Sequence, residues 1–194
     1  METKTKLSAK QITGMAVLLA LVVVLQAVVG AVPIGVVQLN FSLVPIVLGG
    51  MIYGAVFGAV IGLACGIIVL IQVITGTLYF YTLIWTGDPV VTLLTCLIKT
   101  TVAGFVGGVL YKVISKKNQT VATFVVAAAV PIINTAIFIL GCLMMTHSVY
   151  AMAGTTNILV FILISIVSYN FFVELAINMV LAPSIKRVIT AINR

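Results

Sequence analysis

Charge is what this sequence has least of. Its 194 residues hold three acidic side chains (Glu2, Asp88 and Glu174), ten Lys or Arg and one histidine, so that charged residues are 7% of the chain, against about 25% in soluble domains. With 63% hydrophobic residues and a mean hydropathy of +1.36, that scarcity excludes a soluble catalytic or ATP-binding domain and marks an integral membrane protein. One histidine and no carboxylate pair leave acid–base hydrolysis without its parts, and neither a Gly-rich phosphate loop nor a nucleophile beside a base is present. The three cysteines, Cys65, Cys96 and Cys142, lie in apolar runs without CxxC spacing. They imply neither a disulfide framework nor a metal site and read as small core residues. No catalysis, cofactor or metal is therefore expected. The formal charge of +7 is what the basic loops of a membrane bundle supply, so nucleic acid is not an expected partner.

What is present is a succession of long apolar runs. A span takes roughly 20 apolar residues, which limits the chain to about six. The expectation is an all-α integral membrane protein, a single six-helix domain over residues 1–194 with helices at about 12–32, 41–53, 55–75, 89–113, 121–146 and 158–182. The first run is too long for a signal-peptide core and reads as a retained helix. The 34 apolar residues from Phe41 to Ile74 would make one helix of about 51 Å, too long for a bilayer of about 30 Å, so a break is expected at Gly49, Gly50 or Gly54. Asp88 and Pro89 form an N-cap and first-turn pair for the fourth helix. Lys4, Lys6, Lys10, Lys112, Lys116, Lys117, Lys186, Arg187 and Arg194 fall at the ends of runs that share one side of such a bundle, whereas the segments 33–40, 76–87 and 147–157 carry no Lys or Arg. Both termini are therefore expected in the cytoplasm. No internal repeat of the kind found in inverted-half transporters is visible.

Two ionisable residues, Lys99 and Glu174, lie deep in these runs, where a charge costs at least ~2.5 kcal/mol on insertion scales. Lys99 is about 16 Å below Asp88, and Asn134 and Asn170 are each about 20 Å below the outer ends of their helices. Three hydrogen-bonding side chains on three helices thus share a depth and can floor a pocket open to the outside. Glu174 and Asn178 continue the stripe below Asn170. The plainer readings are a structural Lys99–Glu174 pair and an Asn134 that bonds a carbonyl freed by Pro131. Gln38 and Asn40 in the first outer segment, Tyr79 and Trp85 in the second and His147 in the third add flat apolar faces and sparse polar groups suited to a small ligand. An interfacial aromatic belt is the plainer alternative there. The substrate candidates are accordingly Gln38, Asn40, Tyr79, Trp85, Lys99, Asn134, His147, Asn170 and Glu174. On the first helix, Ala16 and Ala20 form an AxxxA step along which another helix can pack, within this bundle or from outside it.

Several blocks carry a resemblance: Ala16 with Ala20, NFSLVPIVLGGMIYG from Asn40 to Gly54 running into AVFGAVIG, and GDPVVTLLTCLIKTTVAGFVGGVLYK from Gly87 to Lys112. In their order and spacing the chain resembles the substrate-binding S component of an energy-coupling factor (ECF) vitamin transporter over nearly its whole length. The chain as a whole looks most like the pantothenate-specific members. The resemblance implies a bacterial plasma-membrane protein that captures a vitamin on its outer side. It also implies partners: a transmembrane coupling subunit (EcfT) and two ATP-binding subunits (EcfA and EcfA′), with Ala16 and Ala20 on the docking face. Lys99 suits a ligand carboxylate and the asparagines suit amides or hydroxyls, as pantothenate offers. Riboflavin, whose specific members NFSLVP also resembles, and a pyridoxine-type or pyrimidine precursor are the alternatives within the family. A self-sufficient secondary carrier or channel, or a structural membrane subunit, is the alternative outside it.

Overall fold

In the computed structural model, residues 8–29, 33–34, 37–154 and 157–192 are described. They are almost entirely helical: α1 (Ala9–Val24) continued by a π-helical stretch (Leu25–Val29), α2 (Leu43–Tyr53), α3 (Ala55–Ile74), α4 (Tyr79–Gly87), α5 (Pro89–Ile114), α6 (Gln119–Met144), α7 (Thr146–Ala153), and a last long helix made of α8 (Ile158–Val160), a π-helical stretch (Phe161–Val167) and α9 (Ser168–Ile192). Five helical stretches are long and apolar enough to cross a membrane, and Leu43–Tyr53 is a shorter apolar helix. Between the first two helices, β1 (Pro33–Ile34) and β2 (Val37–Gln38) pair antiparallel, Pro33 opposite Gln38.

Local chemistry explains most boundaries. Ser8 caps α1 through the Gln11 backbone N–H while the Gln11 side chain accepts from the Ser8 backbone, a reciprocal capping box. The 41–74 run does break, but only at Gly54, whose φ of 96° lies in the region that an L side chain avoids; Gly49 and Gly50 stay inside α2. Pro89 opens α5. Asp88, however, makes no capping bond there, because its Oδ2 accepts from the Ser148 backbone N–H at 3.1 Å and the Ser148 hydroxyl at 2.8 Å, tying the start of α5 to α7.

Three expectations need correction. Segments 76–87 and 147–157, read as loops, contain the short helices α4 and α7. In α4 the buried Phe80, Tyr81 and Ile84 recur at helical spacing, and packing against the core offsets the modest propensity of an aromatic-rich stretch. The last helix does not stop at Ala182 but continues through Pro183 to Ile192. Ala182, Ile185 and Ile189 are all buried on one face, and that continuous stripe offsets the single hydrogen bond the proline removes.

The closest helix pair is α3 against α5, which run antiparallel. A Cβ on Gly58 would meet the Gly104 carbonyl, one on Gly62 the Thr100 carbonyl, and one on Gly66 would lie 2.6 Å from the Cys96 carbonyl. Glycine at every fourth position of α3 therefore allows backbone-to-backbone packing, the membrane-type solution that small residues permit. Thr95, Cys96, Lys99 and Thr100 are buried on the facing turns of α5. Gly62→Leu should consequently destabilise the fold by about 3 kcal/mol or more, because backbone rather than a flexible side chain occupies the space. Thermal unfolding in detergent checks this against Val60→Leu, on the exposed side of the same helix, which should melt as the wild type does.

Candidate functional site

α5 carries Lys99 into the interior, where it is only 4% exposed. Its Nζ donates to the Tyr81 hydroxyl at 2.8 Å and lies 4.8 Å from the Tyr81 ring centroid and 5.1 Å from that of Phe138. The two rings are 5.5 Å apart, so the ammonium is held by one neutral oxygen and two π faces. Such faces attract a cation but do not neutralise it. Among the described residues no carboxylate is within ion-pairing distance of Lys99. Glu174 instead accepts the backbone N–H of Asn40 at 2.8 Å, and Asn178 donates to the Glu174 carbonyl at 2.8 Å. The direct Lys99–Glu174 pair considered from the sequence is thus absent. Asn134 makes no bond to a carbonyl near Pro131, and its Oδ1, like that of Asn40, is buried without a hydrogen-bond partner.

These groups border one small cavity, of about 30 Å³, among α4, α5, α6 and the last helix. Its polar lining is Asn40, Lys99, Asn134, Asn170 and Glu174 with Tyr81, and Phe138, Phe171, Thr135 and Val167 complete the wall. Five of the nine candidates from the sequence therefore meet in one place. The others do not line it. Tyr79 is 72% exposed, since two residues along a helix turn the side chain by about 200° and Tyr81 takes the inward position. Trp85 packs against the hydrophobic core. His147 is exposed and lines a shallow groove with Leu83, Thr86 and Ser148 between α4 and α7. Gln38 stands in the short ladder, and its side chain lies outside the described residues.

Tyr81, the direct partner of Lys99, escaped the sequence reading, as did Phe138 and Phe171. The signal for Tyr81 lay in the spacing of Phe80, Tyr81 and Ile84, legible only if 76–87 is taken as a helix. Chemically, the cavity offers one cation, two amide oxygens in want of donors and a carboxylate held by a single backbone N–H.

A family model described as the ECF transporter substrate-specific component matches residues 10–186. The chain belongs to that family. Neither a curated protein nor a solved structure matches it. As an ECF substrate-specific component it is a multi-pass membrane protein whose family works with an ECF transporter module.

In this S component the neutral Tyr81 hydroxyl accepts from Lys99 and keeps its own O–H. Burial raises its hydroxyl from the ordinary 10.0 to about 12, against the opposing pull of Lys99. A folded-state value above the unfolded one means that the neutral phenol favours the fold: its contribution is complete below pH 10.0 and is lost as pH rises toward about 12. A phenolate-absorbance titration of detergent-solubilised protein should accordingly lose a component at about pH 12 in Tyr81→Phe.

Proposed function

We propose that this S component captures a carboxylate-bearing vitamin or vitamin precursor, pantothenate first among them, from the extracellular side of the bacterial plasma membrane. It delivers the substrate through a coupling module of EcfT and the ATP-binding subunits EcfA and EcfA′. The observation that carries this reading is Lys99: a buried ammonium with a neutral hydroxyl as its hydrogen-bond partner, bordering a cavity. A buried charge is costly until it is paired, and a ligand carboxylate supplies the missing partner. The unpartnered Oδ1 atoms of Asn40 and Asn134 call for N–H or O–H donors on the same ligand, which the amide and hydroxyls of pantothenate have.

In this reading Asn40, Lys99, Asn134, Asn170 and Glu174 hold the substrate, while Tyr79 and His147 belong to the outer surface and Trp85 packs against the core. Six membrane crossings with both termini in the cytoplasm are supported by the clustering of basic residues: Lys186 of α9 donates to Thr120 at the start of α6, next to the turn that carries Lys116 and Lys117. Calorimetry of the purified protein against pantothenate, riboflavin and pyridoxine tests the function. Lys99→Met should weaken pantothenate binding about tenfold to more than a hundredfold, the effect of losing a charge-assisted bond of on the order of 1.5–3 kcal/mol. Lys99→Arg should restore it only in part. Unaltered affinity in folded Lys99→Met would remove the carboxylate contact.

Docking is the second half of the proposal. Ala16 and Ala20 are exposed on α1, whereas Leu18 and Val22 of the same helix are buried. The AxxxA step is therefore not used inside this bundle and is open to a partner helix. Replacing both alanines with Trp should abolish co-purification with the coupling subunit while pantothenate affinity stays within a few fold. Retained co-purification would move the docking face elsewhere.

A further inference from the structure

Gln26, Ser42 and Gln72 have no part in the reading so far, yet all three are buried in an otherwise apolar bundle. Gln26 lies in the π-helical stretch that ends the first helix, a distortion that often marks functional positions. Its Nε2 donates to Gln72 Oε1 at 3.0 Å, Gln72 Nε2 returns a bond to the Gln26 backbone carbonyl at 3.1 Å, and the Ser42 hydroxyl donates to Gln26 Oε1 at 2.9 Å. Joining α1, α2 and α3 would be sufficient reason for such a network. Two observations go beyond that. Gln26 lines a second small cavity, of about 20 Å³, and that cavity shares Asn40, Tyr81 and Lys99 with the first. The Lys99–Tyr81 hydrogen bond thus stands in the partition between two adjoining spaces.

We infer that the second cavity is the other half of the substrate site, taking a neutral amide- or hydroxyl-bearing end of the ligand whose anionic group lies at Lys99. The inference rests on the reading of Lys99 proposed above. A primary amide nitrogen carries two N–H groups, and Gln26, a residue that lines the cavity, uses one of them to bond Gln72, which leaves it a second donor. The buried, unpartnered Asn40 Oδ1 on the same wall is an acceptor. One donor beside one acceptor is the complement of a group that both accepts and donates, such as a hydroxyl or a secondary amide, and it offers nothing to a second charge. Gln72 and Ser42 then act as positioning residues that fix the Gln26 amide. Leu39, Val69 and Leu78 supply the apolar remainder of the cavity. Specificity would in this way reach from helices α5, α6 and α9 to the first helix, which also carries Ala16 and Ala20.

Calorimetry and thermal unfolding in detergent on the full chain test the inference, with pantothenate, riboflavin and pyridoxine as probes and Lys99→Met as the reference. Gln26→Leu should weaken the probe that binds by about threefold to tenfold, the effect of one neutral hydrogen bond. Val69→Leu touches none of the network's hydrogen bonds, so in folded protein it should weaken the same probe several-fold. A purely structural network could not produce that result. If folded Gln26→Leu and Val69→Leu bind as the wild type while Lys99→Met does not, the second cavity is no part of the site and the carboxylate reading stands. If none of the three probes binds the wild type, both fall together.

Discussion

The close approach of α3 and α5 is the constraint on which the rest depends. Where Gly58, Gly62 and Gly66 face the carbonyls of Gly104, Thr100 and Cys96, the helices are separated by little more than backbone, and neither can slide by a turn without a collision. Lys99 lies between two of those contacts, so its depth in the bundle is set by glycine packing rather than by its own interactions. This order of causes matters in an apolar bundle. In lipid no hydrophobic force draws helices together, and dispersion across a close seam has to supply the attraction. A seam of this kind is rigid enough to hold a cation away from water and narrow enough to leave room for a cavity on its far side.

The cation is then held incompletely. One phenol oxygen and two aromatic faces reduce the cost of burying Lys99, but the carboxylate best able to neutralise it, Glu174, is engaged by the backbone of Asn40, a residue 134 positions away in sequence. Keeping the two apart leaves unmet electrostatic demand on one side of the cavity and an acceptor on the other. That asymmetry is suited to a ligand that is itself charged at one point and polar along its length. The same Asn40 anchors the entry to α2, so the cavity wall and the chain segment beside it are mechanically one piece.

Helix α1 is the least enclosed element of the bundle, with Leu18 and Val22 turned inward and a broad apolar surface, Val17, Val24 and Val28 among it, left exposed. Its inner end is secured differently, by the amides of Gln26 and Gln72 and the hydroxyl of Ser42. A helix fastened by a polar network at one end and by modest packing along the rest can present its outer face to another membrane protein without opening the cavity.

How much of this the amino-acid sequence contains follows from the range of each interaction. Membrane residence, the long helices, the turn at Gly54 and the shared depth of Lys99, Asn134 and Asn170 are set by composition, by helix rise and by a bilayer of known thickness, all of which act locally or along one axis. Rotation about that axis is another matter. Whether Tyr79 or Tyr81 points inward, whether Glu174 bonds Lys99 or the backbone of Asn40, and whether Pro183 ends a helix depend on which faces neighbouring helices cover, and an apolar helix in an apolar sequence has little amphipathic pattern to reveal its buried side. The sequence therefore determined which groups reach the middle of the membrane. Only tertiary packing, through the glycine seam and the aromatic faces around Lys99, decided which of them meet and which of their hydrogen-bonding atoms are left open to a ligand.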